Sequence, residues 1–533
     1  MRTRESVGTE KLRGGYYTPQ PLVADVLDHA LDLLGGVTPT RILEPSAGDG
    51  AFFEQVSQRF PRARVTGVEI DPLEAMRASA ELERVGAPGE VVNDSFLHWS
   101  LDQSGYDVIV GNLPFVRFQF ISPEDRELAD RHALDSGVRI GGVANLWWPM
   151  LLASLRCLRI GGVFSLVLPS ECLTGVTAGA AREWLLSTVT DLRVDNYPPR
   201  SFPGVLQDVV VVSGRRADLS SASAAIRYVE YAADGSRLLT DRLMPATPAN
   251  WLSLLLSSEE VQVVQEVRDL EAVRPLGEMA RFEVAAVTGA NAFFSLTDQQ
   301  VRDQELNQWV VPLLSRMRYA PGLIYTEEDH RVSAESGAST YLFSVKESLD
   351  RARWGGLDRY LSVGEAAGLN TRFKTRTREP WYAIPSVRRE ALLMSKRSHH
   401  FPRVSLNVTD AVTTDTIYRG RVTDPVLSGG DIAAVFHNSL TLLTAELEGR
   451  SFGGGVLELV PSEVSRLSLP RVPGLEAHLA ELDRSARSTD DASAVISATN
   501  QLLAAAMPSL SPSKLDRLES IRQRLLARRL SRN

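Results

Sequence analysis

The sequence predicts a doubly wound α/β domain over residues 1–215, a mixed α+β domain over residues 216–475 and a helical tail over residues 476–533. Three observations support this division. A chain of 533 residues exceeds what one hydrophobic core accommodates. Short apolar runs alternate with amphipathic segments up to about residue 213, and this alternation fades afterwards. The last segment is polar, with leucines spaced as on an amphipathic helix.

Short runs rich in valine and isoleucine predict six strands in the first domain, at residues 41–44, 64–69, 90–92, 106–110, 163–168 and 209–212. Amphipathic segments predict helices between several of them, at residues 51–60, 73–85 and 145–158. Apolar strands that alternate with helices imply a parallel sheet covered on both faces. Because ligands of such sheets bind at the carboxyl ends of the strands, we expect the functional site there.

The composition is that of a folded globular chain without a uniformly basic surface. Hydrophobic residues make up 44% and charged residues 23%, and Lys plus Arg number 58 against 66 for Asp plus Glu. Cys157 and Cys172 stand far apart without metal-ligand spacing, so neither a disulfide framework nor a metal site is expected. No apolar run is long enough to span a bilayer, and the polar N-terminus does not resemble a signal peptide. We therefore expect a cytoplasmic protein without membrane association.

The segment after the first predicted strand reads Leu-Glu-Pro-Ser-Ala-Gly-Asp-Gly and precedes a helix. Its glycines, Gly48 and Gly50, permit positive φ and a close approach of the backbone to a ligand. The loop lacks the GxGxxG and GK[ST] patterns, which favours an adenosine-bearing ligand without phosphates. Glu69, at the end of the second strand, could accept ribose hydroxyls, and Asp94, after the third, could accept an adenine amino hydrogen. An ordinary tight turn with charged strand ends is the alternative interpretation.

This series of residues resembles the class I S-adenosylmethionine-dependent methyltransferases, which have a Rossmann-like doubly wound sheet. The resemblance implies S-adenosylmethionine as the cofactor. From the loop and the two following strands it implies the cofactor-binding residues Glu44, Ser46, Ala47, Gly48, Gly50, Glu69, Asp94 and Phe96.

A second motif, Gly111-Asn-Leu-Pro-Phe115, follows the fourth predicted strand and resembles the Asn-Pro-Pro-Tyr motif of amino-methyltransferases. The side-chain carbonyl of Asn112 and the backbone carbonyl of Leu113 could accept the two hydrogens of a target amino group and aim its lone pair. Phe115 offers a face on which a flipped base can stack. The resemblance implies the catalytic residues Asn112, Leu113, Pro114 and Phe115. Leu113 departs from the family's proline, which leaves open a weakened or lost catalytic activity.

A third motif, Gly-Gly-Tyr-Tyr-Thr-Pro-Gln, lies about 26 residues before Glu44 and precedes an apparent helix. It resembles the segment that closes over the methionine part of the cofactor in γ-type N6-adenine DNA methyltransferases, which adds Tyr17, Thr18 and Pro19 to the implied cofactor site. The order of the three motifs is also that of this family, which ends in a target-recognition domain. Phe202 could help to cover the flipped base, although a packing role before a core strand is the alternative.

The second domain contains a basic cluster between residues 372 and 403, where nine Lys and Arg residues oppose two glutamates. Aromatic residues are interleaved with them, a composition suited to backbone phosphates and exposed bases. The DNA-binding candidates are Arg372, Lys374, Arg376, Arg378, Trp381, Lys396 and Arg397. A solvated basic face with its aromatics in the core is the alternative.

The leading hypothesis is therefore a site-specific methyltransferase that acts on N6 of adenine in double-stranded DNA, as the modification component of a restriction-modification or phage-defence system. A separate restriction endonuclease or defence-system subunit is the expected partner, because the tail is too short and polar for a nuclease domain. Two alternatives remain open. The first is a catalytically weak or inactive DNA-binding subunit with this fold, and the second is a methyltransferase that acts on RNA or protein.

Overall fold

A mostly parallel sheet forms the centre of the first half of the chain. The computed structural model describes residues 18–116, 120–138, 145–174, 178–197, 209–218, 225–231, 237–245, 251–345, 347, 351–452, 455–488 and 493–530. The chain divides into two units, Met1–Leu255 with the last two residues, and Leu256–Ser531. The strands of the first unit are β1 (Arg41–Glu44), β2 (Arg64–Glu69), β3 (Gly89–Asn93), β4 (Tyr106–Asn112), β5 (Leu158–Pro169), β6 (Val189–Asn196), β7 (Val209–Arg216), β8 (Ala225–Tyr231) and β9 (Arg237–Pro245).

The described strands pair in the order β3-β2-β1-β4-β5-β7-β6-β8-β9. Strands β1 to β5 are parallel, and β7 runs antiparallel between β5 and β6. The order reverses between β1 and β4, and ligands of doubly wound sheets bind at the carboxyl ends of the strands at such a reversal. The ends of β1 and β4 are Glu44 and Asn112.

Helices cover the two faces of this sheet. They are α1 (Gln20–Leu34), α2 (Phe53–Arg59), α3 (Pro72–Arg84), α4 (Phe96–Trp99), α5 (Pro123–Asp135), α6 (Trp147–Cys157), α7 (Glu171–Thr174) and α8 (Gly179–Thr188). The first helix, α1, buries Val23, Val26 and Leu27 in the same core as Ile42 of β1 and Val108 of β4. This apolar face places the N-terminal end of α1 beside the strand ends.

The expected doubly wound fold is confirmed, and each of the six predicted strands lies within or coincides with an observed strand. Three strands were not expected. β6 mixes polar and apolar residues. β8 pairs parallel with β6 and β9 pairs antiparallel with β8, which extends the sheet as far as Pro245. The domain boundary expected at residue 215 therefore falls inside β7, and the first unit continues to Leu255.

The second unit is a mixed α+β structure with several small sheets. Its strands are β10 (Val273–Pro275), β11 (Ala280–Val284), β12 (Ser295–Thr297), β13 (Val310–Leu314), β14 (Ile324–Tyr325), β15 (Ser339–Phe343), β16 (Leu392–Ser395), β17 (Arg397–Ser398), β18 (Val404–Asn407), β19 (Val412–Thr413), β20 (Ile417–Val422), β21 (Arg450–Phe452), β22 (Val456–Glu458) and β23 (Ser468–Pro470). The two larger sheets have the orders β11-β20-β16-β18-β14 and β12-β15-β13-β19.

The helices of this unit are α9 (Ser258–Arg268), α10 (Leu276–Met279), α11 (Asn291–Phe294), α12 (Asp298–Asp303), α13 (Glu327–Glu335), α14 (Gly355–Ala366), α15 (Gly429–Val435), α16 (Ser439–Glu448), α17 (Pro461–Val464), α18 (Leu479–Ser488), α19 (Ser493–Ala506) and α20 (Pro512–Leu530). Within the ranges described above, no helix combines the length and the apolar content that crossing a membrane requires.

The three C-terminal helices, expected to form a separate tail, cluster with the second unit. Asp483 of α18 accepts the backbone N–H groups of Leu323 and Ile324, at 2.7 and 2.9 Å. Arg529 of α20 is buried and forms two hydrogen bonds, of 2.8 and 2.7 Å, with the carboxylate of Glu446 on α16. Buried charges of this kind are stable only when they are paired, so the helices are part of the core of this unit.

We expect Arg529→Met to lower the free energy of unfolding by about 3–5 kcal/mol, because it leaves the buried Glu446 carboxylate without its partner. Guanidinium unfolding followed by circular dichroism measures this change. Arg517→Met is the matched control, because Arg517 lies on the same helix in an exposed ion pair with Glu259 and should cost at most about 1 kcal/mol. Equal effects of the two substitutions would contradict the assignment of α20 to the core.

Candidate active site at the carboxyl ends of the strands

The loop between β1 and α2 is a compact turn beside the second strand. The backbone N–H of Ala47 donates to the Val68 carbonyl at 2.9 Å, and that of Gly50 to the Ala47 carbonyl at 2.8 Å. Gly50 has φ +87°, and a Cβ at this position would lie 2.9 Å from a ring carbon of Phe53. Only glycine therefore fits there, and the loop approaches the start of the following helix closely.

Glu69, at the end of β2, is held by backbone groups on both sides. One carboxylate oxygen accepts the N–H of Gly48 at 2.9 Å, and the other accepts the N–H of Asp71 at 2.8 Å. Asp71 in turn caps α3 by accepting the N–H of Leu73 at 2.9 Å. Each carboxylate oxygen can accept a further hydrogen bond, so Glu69 is a fixed acceptor at the edge of the loop.

Asp94 follows β3 and is also fixed by its neighbours. Its carboxylate accepts the backbone N–H of Ser95 at 2.7 Å and lies 2.8 Å from Nδ1 of His98. Phe96 is buried and packs against Trp99, with the ring centroids 6.1 Å apart. Sequence reasoning missed His98, although its spacing of four residues from Asp94 across a helical turn could have revealed the pair.

Glu44, at the end of β1, is a buried acid whose Oε2 has no hydrogen-bond partner within the described residues. Burial raises the pKa of its carboxyl well above the usual value, and the charges of Asp49 and Glu69 raise it further. An unpartnered acceptor at a strand end can receive a donor from a ligand, since buried polar groups are normally paired.

Asn112, at the end of β4, is oriented by contacts from two other segments. The hydroxyl of Ser46 donates to its backbone carbonyl at 2.7 Å, and its side-chain amide donates to the hydroxyl of Thr18 at 3.2 Å. These contacts leave Oδ1 of Asn112 buried and without a hydrogen-bond partner in the described part of the chain. The loop, the start of α1 and the end of β4 thus meet around one free acceptor.

The rest of the predicted catalytic motif continues from this strand end. The backbone N–H of Leu113 donates to the Val167 carbonyl at 3.3 Å, a bond that the proline of the family motif could not make. The Leu113 side chain is buried, and Pro114 and Phe115 are half-buried. Phe115 packs against the core of the first unit. Pro19 is the N-cap residue of α1, whereas Tyr17 and Phe202 lie outside the described residues.

The seven described DNA-binding candidates fall into two groups. Arg378 donates to the carbonyls of Val287 and Thr288, at 2.6 and 2.9 Å, and burial lowers the pKa of its guanidinium. Trp381 is half-buried in the aromatic core of the second unit, and its indole N–H donates to Glu365 at 3.2 Å.

Lys396 and Arg397 both approach the carboxylate of Glu458. In contrast, Arg372, Lys374 and Arg376 are exposed, and within the described residues their side chains form neither a hydrogen bond nor an ion pair. The structure thus separates three free cations from four residues with internal contacts.

The acceptors at the strand ends fit S-adenosylmethionine, which presents hydroxyl, amino and ammonium donors. Glu44, Glu69 and Asp94 have acidic side chains, and the loop from Glu44 to Gly50 contains no Lys or Arg that would bind phosphate. No group of three His, Cys, Asp or Glu suited to a metal ion occurs in the described ranges. Fold and site define a class I S-adenosylmethionine-dependent methyltransferase.

Comparison with known proteins shows which methyltransferases this chain is similar to. Residues 248–504 match the family model of the C-terminal domain of type II methyltransferase M.Eco57I. Type II methyltransferase M.XamI of Xanthomonas campestris pv. amaranthicola is 22% identical over 87% of this chain and 86% of its own length. M.AccI of Acinetobacter calcoaceticus is 20% identical over 85% of this chain and 84% of its own length.

Among solved structures, the DrdV–DNA complex superimposes with a TM-score of 0.53 at 12% identity, over 89% of this chain and 57% of that chain. This likeness supports the fold. The sequence relatives, which are type II methyltransferases, support the resemblance to γ-type DNA methyltransferases.

We expect Glu44→Gln to change how stability depends on pH. Since burial raises the pKa of Glu44 in the folded state, the unfolded chain releases a proton above about pH 4.5 that the folded chain retains. The wild type therefore loses stability as pH rises through this range, by up to about 1.4 kcal/mol per pH unit, and the variant does not. Denaturant unfolding between pH 4.5 and 7 measures the difference.

Glu83→Gln, on the exposed side of α3, is the control and should leave the pH dependence unchanged. A constant difference between Glu44→Gln and the wild type across this range would show that the Glu44 carboxyl is not desolvated in the folded protein.

Proposed function

We propose that this chain transfers a methyl group from S-adenosylmethionine to N6 of adenine within a specific DNA sequence. The observation that carries the proposal is the buried, unpartnered Oδ1 of Asn112 beside the loop between β1 and α2. An acceptor in this state is suited to an amino group that enters from outside the protein. The relatives, which are type II methyltransferases, support DNA as the substrate.

The chemistry requires positioning rather than a strong base. The lone pair of the adenine amino nitrogen is delocalised into the ring, so the nitrogen is a weak nucleophile. Asn112 Oδ1 and the carbonyl of Leu113 accept its two N–H hydrogens, which favours a tetrahedral nitrogen with an aimed lone pair. S-Adenosylmethionine, when bound, supplies an electrophilic methyl group on a sulfonium. Phe115 packs beside the base once the base has been flipped out of the duplex.

The cofactor roles follow from the acceptors at the strand ends. We assign the ribose hydroxyls to Glu69, the adenine amino group to Asp94 and the ammonium of the methionine part to the unpartnered oxygen of Glu44. Ser46 and Thr18 each form one hydrogen bond with Asn112. Because Ser46 belongs to the loop that would contact the cofactor, cofactor binding also affects the position of the Asn112 acceptor.

The hydrogen bond of Leu113 supports catalysis with leucine at this position. Its N–H holds the segment after β4 against β5, which restricts the backbone in a way that partly replaces the rigidity of proline. The enzyme would act with a separate restriction endonuclease or defence-system subunit, as the modification component of the pair.

We expect Asn112→Ala to reduce methyl transfer by about 10²–10³-fold or more while cofactor binding persists, because the substitution removes the acceptor of the transition state and, besides it, one hydrogen bond to Thr18. Expression in a host without adenine methylation, followed by genome sequencing for N6-methyladenine, measures transfer, and calorimetry measures cofactor binding. Asn112→Asp keeps an oxygen acceptor and should retain more activity than Asn112→Ala.

Asn307→Ala, an exposed substitution in the second unit, is the control and should leave the methylated sequence unchanged. Full activity of Asn112→Ala, or a wild type that modifies no adenine in DNA of varied sequence, would refute the proposed function.

A further inference from the structure

Phe373 lies on a series of turns between α14 and β16, with 62% of its surface exposed. Exposure of a phenylalanine to water is unfavourable, since burial of its ring is one of the larger hydrophobic gains. The other aromatic residues nearby, Trp381 and Tyr382, pack into the core of the second unit. The packing of this unit therefore does not explain why the Phe373 ring is exposed.

Two cationic side chains lie near this ring. The ammonium of Lys374 and the guanidinium of Arg376 each lie 5.6 Å from the centre of the Phe373 ring. With Arg372 they form an exposed group in which the described residues provide no acidic partner, although the whole protein carries a net charge of −8. An exposed aromatic ring flanked by cations without an acidic partner suits duplex DNA, whose major groove presents thymine methyl groups between two lines of phosphates.

The backbone beneath this group is firmly anchored. The hydroxyl of the fully buried Thr375 donates to the carbonyls of Leu369 and Arg372. Arg378 binds the carbonyls of the loop at Val287 and Thr288. Gly289 in this loop has φ +81°, and a Cβ there would lie 2.9 Å from Cβ of Lys374. The side chains that point outward are thus presented on a preorganised segment.

A cleft of about 700 Å³ lies beside Lys374, with Thr377, Glu379 and Ser386 among its polar lining residues. Glu379 is exposed, and within the described residues it has no cationic partner. A free carboxylate next to phosphate-binding cations would be repelled by a phosphate. The Glu379 carboxylate can, however, accept a hydrogen bond from the amino group of cytosine or adenine in the major groove.

We propose that Phe373, Lys374 and Glu379 form a base-contacting site for duplex DNA in the second unit. Phe373 contacts a base, Lys374 with its neighbours Arg372 and Arg376 binds the flanking phosphates, and Glu379 accepts an amino hydrogen from a base edge. The site deepens the proposed function, on which it rests, because it assigns the selection of the methylated sequence to this segment.

The test uses the full chain and short duplexes with a randomised centre, from which bound sequences are selected and read. Glu379→Gln should relax the preference at one base pair of the selected sequence. Phe373→Ala should weaken binding of the selected duplex by about tenfold in fluorescence anisotropy, with an unchanged salt dependence. Lys374→Ala should instead reduce the slope of log affinity against log salt concentration by about one.

Val363→Ala on α14 is the matched control, since Val363 is an exposed apolar residue of the same unit and should leave binding unchanged. Retention of wild-type affinity by Phe373→Ala, together with an unchanged selected sequence for Glu379→Gln, would overturn the inference. Preferential binding of RNA over duplex DNA would also overturn it. Weaker duplex binding by Phe373→Ala would support it even if the wild type methylated no adenine, in which case the proposed function alone would fail.

Discussion

The hydrogen bond from the hydroxyl of Ser46 to the carbonyl of Asn112 is the contact on which the site depends. It joins the loop between β1 and α2 to the end of β4, two segments that the strand order already places side by side. Thr18 holds the amide of the same asparagine from the start of α1. Because both contacts act on Asn112, its remaining oxygen has a defined direction, and a shift of the loop would shift the acceptor as well.

Much of the first unit could be predicted from the sequence, and the second unit could be predicted only in part. Residues 106–110 form a continuous apolar run that predicts a buried strand. Gly48 and Gly50, directly after another predicted strand, indicate a turn in which the backbone can approach a ligand closely. β6 was not predicted, because its polar and apolar residues do not form a continuous apolar run. The acceptor of Asn112 could be anticipated from its motif, whereas its contacts with Ser46 and Thr18 depend on the folded chain.

The basic cluster shows why residue type alone does not reveal a role. Arg378 and Arg389 resemble DNA-binding arginines in the sequence, yet both donate to backbone carbonyls of neighbouring segments. Arg403 does the same with Pro321 and Met317. A guanidinium has five donors in a planar arrangement, so one side chain can connect two loops that lack regular pairing. Arginine therefore serves in this unit as an internal connector as well as a surface cation.

The turns from Arg372 to Arg378 carry both inward and outward side chains. Thr375 and Arg378 attach the backbone to its own unit, whereas Phe373, Lys374 and Arg376 face solvent. Substitution of an outward residue leaves the anchoring bonds intact, so descendants of this protein could acquire new sequence preferences without first losing their fold. If this segment selects the methylated sequence, as proposed, single outward substitutions change that sequence in small steps while the fold stays the same.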